Sequence, residues 1–292
     1  MSLLLHGDCL EHMKGIDTDS VDFIFCDLPY GQTNCKWDCP IDLDKFWIEI
    51  MRIKKINTPI FMTTTTKFGV SLINSAPKKC PFRYDLVWVK TSSAGFLSAK
   101  KMPMRKHEMV YCFYEKLPFY DLSSHTHKFL KEGKKSEGDK GNECYGKFKY
   151  YNNGEKGYDP PLPVSVVKDG AINEEYEGLY GGLKAPEYVS NNIERNKLRR
   201  KYKKEGKSES AYEPPLPTTM LEIKSTRGKH STEKPVALME WLLKYYSKEG
   251  DVVLDPTMGS GSTGVACKNM NRNFIGIEKD PEIYEVAVNR ID

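Results

Sequence analysis

The chain has 292 residues, of which 39% are hydrophobic, and a formal net charge of +4. This composition allows a substantial core, but no apolar run approaches the roughly 20 residues that a membrane-spanning helix needs, so we expect no membrane partner. The first apolar run is too short for a secretion signal, and we expect a cytoplasmic protein. The eight cysteines show no metal-binding spacing, so no metal is predicted.

The first predicted strand is the apolar run Leu3–Leu5, which leads through Gly7 into a helix that begins near Cys9. Asp8 precedes this helix directly. A carboxylate at that position can accept a hydrogen bond from a backbone N–H group that the helix itself leaves without a partner. The residues alone therefore predict Asp8 as a helix cap.

A second predicted strand, Val21–Cys26, is apolar and stops at Asp27, Leu28, Pro29 and Tyr30. An open α/β sheet binds its ligands at the carboxyl ends of its strands, so chemistry is expected at this turn. A carboxylate and a neighbouring carbonyl can both accept hydrogen bonds from an exocyclic amine, and a phenol ring offers a face on which a flat base can stack. A strand that merely ends in a proline turn is the alternative at this point.

The segment up to residue 115 continues with alternating helix and strand patterns. Apolar residues at helical spacing predict helices, and short β-branched or aromatic runs predict strands. The predicted elements are the helix Leu43–Lys54, the strand Thr58–Thr63, the helix Lys67–Ile73 and the strands Tyr84–Val89 and Glu108–Tyr114, with a loop between the last two.

Residues 116–228 differ in character, because glycine, lysine, tyrosine, asparagine and proline accumulate and the periodicity fades. Arg195–Lys207 carries eight lysines and arginines against one acid. A solvated helix face is one explanation of such a run, and contact with the phosphates of a nucleic acid is the one we favour. The candidate DNA-contacting residues are Arg195, Arg199, Arg200, Lys201, Lys203 and Lys204.

Residues 229–292 return to a regular pattern. Pro235 suits the first turn of a predicted helix, Val236–Tyr246. A strand then ends at Asp255 and passes through a glycine-containing turn into a helix that begins at Ser262. Glycines let a backbone approach a ligand closely, and an acid about 20 residues further on can take the hydroxyls of a ribose. Glu278, at the end of the next strand, has this position, and a last helix is predicted at Pro281–Ile291.

Two of these segments resemble the motifs of the amino-methylating DNA methyltransferases. The family's catalytic D-P-P-Y is D-L-P-Y here, at Asp27–Tyr30, and its S-adenosylmethionine loop D-P-F-x-G-S-G-T is D-P-T-M-G-S-G-S, at Asp255–Ser262. The catalytic motif precedes the cofactor loop, which is similar to the order in the family's β class. The resemblance covers about residues 3–115 and 229–292.

This resemblance implies a class I methyltransferase fold: α/β, with a Rossmann-like, doubly wound and mostly parallel sheet. It further implies that residues 1–115 form the catalytic half, residues 116–228 an inserted target-recognition region and residues 229–292 the cofactor-binding half. The implied catalytic residues are Asp27, Leu28, Pro29 and Tyr30.

The resemblance also implies where S-adenosylmethionine and its product S-adenosylhomocysteine bind. Asp8 and Cys9 lie in a G-D-C-L segment that borders the cofactor in the family, and Lys234 lies in its T-x-K-P segment. For Asp8, capping and cofactor binding are both open. For Lys234, helix initiation is the alternative to contact with the cofactor's carboxylate. The remaining implied cofactor-binding residues are Asp255, Pro256, Gly259, Ser260, Gly261, Ser262 and Glu278.

The implied reaction is methyl transfer to the N6 amine of adenine in double-stranded DNA, in a bacterial or phage-encoded enzyme. Methylation of cytosine N4 is the first alternative, but Asp27 at the start of the motif favours adenine. A protein-amide methyltransferase and a DNA-binding protein without catalysis are further alternatives. The resemblance leaves open a homodimer and a cognate restriction endonuclease as partners.

Overall fold

A computed structural model describes residues 2–31, 39–124 and 234–292, together with three short strands at 126–127, 158–159 and 166–168. Most of the expected target-recognition region, with all six candidate DNA-contacting residues, lies outside the described residues. The described part contains the elements on which both sequence motifs lie.

Ten strands are described. They are β1 (Ser2–His6), β2 (Phe23–Cys26), β3 (Ile60–Thr64), β4 (Phe82–Ala94), β5 (Arg105–Phe113), β6 (Thr126–His127), β7 (Tyr158–Asp159), β8 (Val166–Lys168), β9 (Val252–Asp255) and β10 (Asn273–Glu278). Eight of them form one sheet in the order β1-β10-β9-β2-β3-β5-β4-β8. Within it, β5 pairs antiparallel with both its neighbours, and the other pairs are parallel.

Six helices flank the sheet. They are α1 (Cys9–Met13), α2 (Leu43–Ile53), α3 (Thr66–Ser75), α4 (Val236–Tyr246), α5 (Ser262–Asn269) and α6 (Pro281–Ile291). No helix in the described part of the chain has the length and apolar character to cross a membrane. The expected mostly parallel α/β sheet is confirmed, and the predicted helices begin and end within two residues of the observed ones.

Strand β2 lies between two hydrophobic cores because its side chains alternate in direction. Phe23 and Phe25 pack into the core that contains α4, α5 and α6. Ile24 and Cys26 pack into the core that contains α1, α2 and α3. Helices therefore cover both faces of the sheet, as in a doubly wound fold, and β2 is buried throughout.

The two motif-bearing strands are neighbours at the point where the winding of the sheet reverses. Strand β9 pairs with β2, with Leu254 opposite Ile24. From β9 the chain passes through α5 to β10 on one side, whereas from β2 it passes through α2 to β3 on the other. Connections that diverge in this way open a crevice at the carboxyl ends of the strands, which is where ligands bind in such sheets.

The hairpin of β4 and β5 is longer than the sequence predicted. The predicted loop between Val89 and Glu108 is partly strand, because pairing continues to Ala94 opposite Arg105, with a register shift on the way. Lys90 and Glu108, which flank the predicted loop, form an ion pair, with 2.6 Å between Lys90 Nζ and a carboxylate oxygen of Glu108.

Candidate active site

A cavity of about 700 Å³ opens at the carboxyl ends of β1, β10, β9 and β2. The predicted catalytic residues Asp27 and Pro29 line it. Among the predicted cofactor-binding residues, its lining contains Asp8, Cys9, Lys234, Asp255, Pro256, Gly259, Ser260, Ser262 and Glu278. Residues from both sequence motifs therefore meet at one cavity, although more than 200 positions separate Asp27 from Lys234 and Asp255.

Asp255 ends β9 and is fixed by hydrogen bonds to the glycine-containing turn and to the helix that follows it. One carboxylate oxygen accepts a hydrogen bond from the Thr263 hydroxyl at 2.6 Å, and the other accepts one from the backbone N–H of Thr257 at 3.1 Å. Burial raises the pKa of the Asp255 carboxyl to about 7, although both hydrogen bonds act against that rise. Asp255 therefore shapes the turn from within, with 2% of its surface exposed.

Gly259 and Glu278 face each other across the turn. The backbone N–H of Gly259 donates to one Glu278 carboxylate oxygen at 3.0 Å, and the N–H of Asp280 donates to the other at 2.8 Å. Gly259 has φ of +53°, and a Cβ at that position would meet no atom within 4 Å. Glu278 is thus held in place at the cavity wall, while the space beside Gly259 is open to a ligand.

The far side of the turn packs closely on α6. Gly261 has φ of +85°, and a Cβ there would lie 2.8 Å from the side chain of Ile291. Arg290, also on α6, donates to the Ser260 carbonyl at 2.8 Å and to the Ser260 hydroxyl at 2.7 Å. Gly261 does not line the cavity, so its requirement for glycine comes from the left-handed backbone and from the helix contact.

Asp8 and Cys9 form the part of the wall that comes from the start of the chain. Asp8 caps α1 by accepting from the Leu10 N–H at 3.0 Å, and it also pairs with Lys279 at 3.0 Å. Burial would raise the Asp8 pKa, but the bond from Lys279 and the backbone donors hold it below its usual value. Burial raises the pKa of the Cys9 thiol to about 12, so Cys9 is a neutral part of the wall.

The predicted catalytic turn, Asp27–Tyr30, follows β2, and the Asp27 carboxylate has three side-chain partners. Asp27 accepts from the hydroxyls of Tyr30, at 3.0 Å, and Thr63 on one oxygen. Its other oxygen accepts from Lys234 Nζ at 2.5 Å. Burial and then the Asp27 charge raise the pKa of Tyr30 well above its usual value, which keeps the phenol protonated and donating. The Tyr30 ring packs against Phe68, with 5.2 Å between the ring centroids.

Leu28 occupies the position at which the resembling family has a proline. Its side chain is 2% exposed and packs in the same core as Ile24 and Cys26. Burial of the Leu28 side chain therefore holds the turn in place, whereas the family's motif has a rigid proline ring at this position. Because the side chain points into the core, its backbone carbonyl is the only part of Leu28 for which a role toward a ligand is expected.

Lys234 is held between two carboxylates. Its Nζ bonds to Asp27 and lies 3.5 Å from Glu108 Oε2, and Glu108 in turn pairs with Lys90. Burial disfavours the ammonium, but the charges of Asp27 and Glu108 outweigh it and raise the Lys234 pKa. The contacts described for Lys234 are thus to Asp27 and Glu108, and its contact with the cofactor's carboxylate stays a prediction.

Sequence reasoning missed Thr63, Glu108 and Arg290. Thr63 lies near the carboxyl end of β3, so the rule that placed Asp27 could have drawn attention to it. Glu108 lies near the start of β5, which runs in the opposite direction and so begins at the same edge. Nothing in the local sequence marks Arg290, because its partner Ser260 lies 30 positions away. Among the described residues, no group of three or more metal-ligating side chains is found.

Comparison with known proteins gives a family match over most of the chain. A family model described as DNA methylase matches residues 21–289. The type II methyltransferase M.HindIII of Haemophilus influenzae is 44% identical over 77 residues. M.HpaI of Haemophilus parainfluenzae, also named a type II methyltransferase, is 47% identical over 66 residues. The match to M.HindIII covers 25% of this chain and 25% of that relative. The match to M.HpaI covers 23% of this chain and 21% of that relative.

Solved structures of similar fold cover nearly the whole chain. The M1.HpyAVI complex with SAM has a TM-score of 0.53 and 18% identity, covering 99% of this chain and all of that one. The PvuII DNA methyltransferase, named cytosine-N4-specific, has a TM-score of 0.57 and 13% identity over 100% of this chain and 86% of its own. TTHA0409 of Thermus thermophilus, complexed with S-adenosyl-L-methionine, has a TM-score of 0.53 and 16% identity, covering 100% and 93%. At these identities the likeness supports the fold.

Proposed function

The chain belongs to the N6/N4 DNA methylase family, whose model matches residues 21–289, and we propose that it methylates the exocyclic N6 amine of adenine in duplex DNA. The methyl donor is S-adenosylmethionine, and S-adenosylhomocysteine is the product. One observation carries the proposal: Asp27, the glycine turn after Asp255 and Glu278 line a single cavity. A methyl donor and an amine acceptor can therefore meet there.

The residues of the cavity fit S-adenosylmethionine. The fixed Glu278 carboxylate offers acceptor oxygens to the ribose hydroxyls, and the open space at Gly259 lets a ligand approach the backbone. The buried hydroxyl of Thr257, which also lines the cavity, makes no hydrogen bond within the described part of the chain. When bound, the cofactor supplies an electrophilic methyl group on a positively charged sulfur.

The chain's own residues act on the amine. An adenine amine is a poor nucleophile, because its lone pair is delocalised into the ring. The two N–H groups of the amine donate hydrogen bonds to the Asp27 carboxylate and the Leu28 carbonyl, which favours a pyramidal nitrogen with its lone pair directed at the methyl group. Positive charge then develops on the nitrogen, and a fixed carboxylate there stabilises the transition state more than the ground state. The excess proton of the methylated amine passes to Asp27 and then to solvent.

The target base must leave the duplex before it can reach Asp27. Flipping it out costs a few kcal/mol, because stacking and pairing are lost. In this proposal the Tyr30 ring recovers part of that cost by stacking on the flipped base. Phe68, packed against Tyr30, stabilises the orientation of the ring.

The proposed partners beyond the target base are the DNA phosphates, a cognate restriction endonuclease and a second copy of the chain. The basic residues of 195–207 lie outside the described part, and phosphate contact is proposed for them from charge alone. The type II names of the relatives support a restriction-modification setting with a cognate restriction endonuclease. A homodimer stays a prediction that light scattering in solution would test.

The proposal is tested by incubating the protein with S-adenosylmethionine and unmethylated genomic DNA. The DNA is then digested, and the nucleosides are analysed by mass spectrometry. We expect N6-methyldeoxyadenosine. N4-methyldeoxycytidine in its place would mean that the same chemistry acts on cytosine, and cofactor binding without any methylated nucleoside would contradict a DNA methyltransferase.

A further inference from the structure

The carboxylate that the proposed reaction needs is already paired with a cation. Asp27 has one oxygen bonded to the hydroxyls of Tyr30 and Thr63, and the other bonded to the Lys234 ammonium at 2.5 Å. An ammonium in that place offsets the negative charge that would stabilise a positive amine nitrogen. With Lys234 unmoved, the site is therefore poorly arranged for methyl transfer.

Glu108 offers Lys234 a second position. Its Oε1 is engaged by Lys90 at 2.6 Å. Its Oε2 is buried, has no hydrogen bond among the residues described, and lies 3.5 Å from Lys234 Nζ. A buried carboxylate oxygen without a donor is costly, so this atom stands ready to accept the ammonium.

From this geometry we propose that Lys234 moves from Asp27 to Glu108 when the target amine enters, and that Glu108 is a positioning residue for the reaction. The inference rests on the proposed function and adds to it. The movement closes a gap of 3.5 Å to hydrogen-bond length and frees Asp27 Oδ2 to accept from the amine. Lys234 keeps a carboxylate partner throughout, so the exchange avoids the cost of a lone buried charge.

The charges of Lys234 and its neighbours balance one another in the absence of substrate. Asp27, Lys234, Glu108 and Lys90 alternate in sign and sum to zero. In the resting state the hydrogen bond of Lys234 goes to Asp27, and in the reacting state it goes to Glu108. The amine of the base, which becomes positive, takes the place of the ammonium beside Asp27.

The test replaces the carboxylate of Glu108 with an amide of the same shape. In Glu108→Gln the ammonium loses its second anionic partner and stays at Asp27. We expect the single-turnover rate of methyl transfer to fall on the order of tenfold to a hundredfold, the range for losing one hydrogen bond to a charged group. The affinity for S-adenosylmethionine should change by less than about threefold.

The matched control is Glu115→Gln. Glu115 also pairs with a buried lysine, Lys54, at 2.9 Å, but it follows β5 at the opposite end from Glu108. We expect this variant to lose stability and keep the wild-type rate. Equal losses of rate in the two variants would overturn the inference, because the loss would then follow from any broken buried ion pair.

A second variant separates the positioning role from a purely structural one. If Lys234 obstructs Asp27 in Glu108→Gln, then Lys234→Met added to it should restore part of the rate, measured with the cofactor saturating for each protein. A double variant no faster than Glu108→Gln alone, or a wild-type rate in Glu108→Gln, would overturn the inference.

Should Glu108→Gln fail to fold, Glu108→Asp carries the same comparison, because it keeps the charge but sets the carboxylate one methylene farther from Lys234. A reduced rate that Lys234→Met partly restores is again expected, and no restoration overturns the inference. Failure of the proposed function looks different, since the wild-type protein would then transfer no methyl group at all.

Discussion

The Asp27 carboxylate accepts hydrogen bonds from three side chains, those of Tyr30, Thr63 and Lys234. We expect Asp27→Ala to abolish methyl transfer while leaving the affinity for S-adenosylmethionine within a few fold, since its proposed role is toward the amine. Labelled-methyl transfer to duplex DNA and calorimetry measure the two quantities. Asp22→Ala is a suitable control, because Asp22 pairs with Lys55 at the other end of β2. Normal turnover by Asp27→Ala would exclude the mechanism.

Asp255 makes the free energy of unfolding depend on pH. Its pKa is raised by burial from 3.8 to about 7 in the folded state, so between these values the folded protein holds a proton that the unfolded chain has lost. This contribution to the free energy of unfolding is complete below pH 4 and declines until about pH 7. Asn cannot ionise, so the stability of Asp255→Asn relative to wild type should rise over that window and level off above it. Urea denaturation at pH 5 and pH 8 measures the difference, and an equal difference at both would contradict the assignment.

The turn between β9 and α5 requires glycine at two positions for different reasons. Gly261 lacks room for a Cβ, whereas Gly259 has room but a left-handed backbone. A residue with a side chain in that conformation costs roughly 1–2 kcal/mol. The stability cost of a substitution at Gly259 therefore comes from the backbone, and any effect on a ligand comes from the side chain added to the cavity wall.

We expect Gly259→Ala to lose about 1 kcal/mol of stability and to bind S-adenosylmethionine at least several-fold more weakly. Gly250→Ala is the matched control, because Gly250 has φ of +83°, has the same empty surroundings and lies outside the cavity lining. It should show the same loss of stability with unchanged binding. Thermal unfolding and calorimetry on both variants check this. An equal change in cofactor affinity in both variants would contradict the proposed position of the cofactor beside Gly259.

Local pattern was sufficient to place the helices because each one carries its own signals. Helix α2 has apolar side chains at helical spacing and an N-cap at Asp42, and α6 has Asp280 as its cap followed by Pro281. The same holds for the two motif turns, whose residues are contiguous in sequence. The end of β4 was misjudged, since cross-strand pairs far apart in sequence decide it.

The charge cluster could not be read from the sequence at all. Lys234 and Asp27 lie 207 positions apart, and nothing in the sequence near either residue indicates that the two are in contact. The resemblance predicted that Lys234 contacts the cofactor, and only the packing of strands β2, β3 and β5 shows Asp27 and Glu108 on either side of its ammonium, with Thr63 bonded to Asp27. Contacts of this kind depend on the topology of the sheet, which periodicity and spacing do not specify.

The electrostatics of the whole chain give a prediction about DNA. If Arg195–Lys207 binds phosphates, removing each lysine or arginine that does so should reduce the slope of log affinity against log salt by about one. We expect Lys203→Glu with Lys204→Glu to weaken binding to all DNA sequences alike and to leave cofactor affinity unchanged. A filter-binding titration from low to moderate salt measures the slope.

The control for this charge reversal is Lys78→Glu with Lys79→Glu. These neighbouring lysines are exposed between α3 and β4, at the sheet edge away from the cavity, and the net charge changes equally. For this control variant, the slope of log DNA affinity against log salt should match that of the wild type. An unchanged slope in the Lys203 and Lys204 variant would mean that the basic run is a solvated face.

The position of β9 between β10 and β2 has a consequence for synthesis on the ribosome. The Asp27–Tyr30 turn is translated early, but β9 begins 226 residues after β2 ends, from Cys26 to Val252. At ordinary translation rates of about 5–20 residues per second, that interval lasts roughly 10–45 s. During this interval β2 is without its partner β9, so one edge of an apolar strand is unpaired. Such an edge promotes aggregation unless a chaperone or a temporary pairing covers it. A growing chain thus contains Asp27 long before the cavity around it is complete, because Glu278 and the helix α6 that packs on the glycine turn are synthesised after β9.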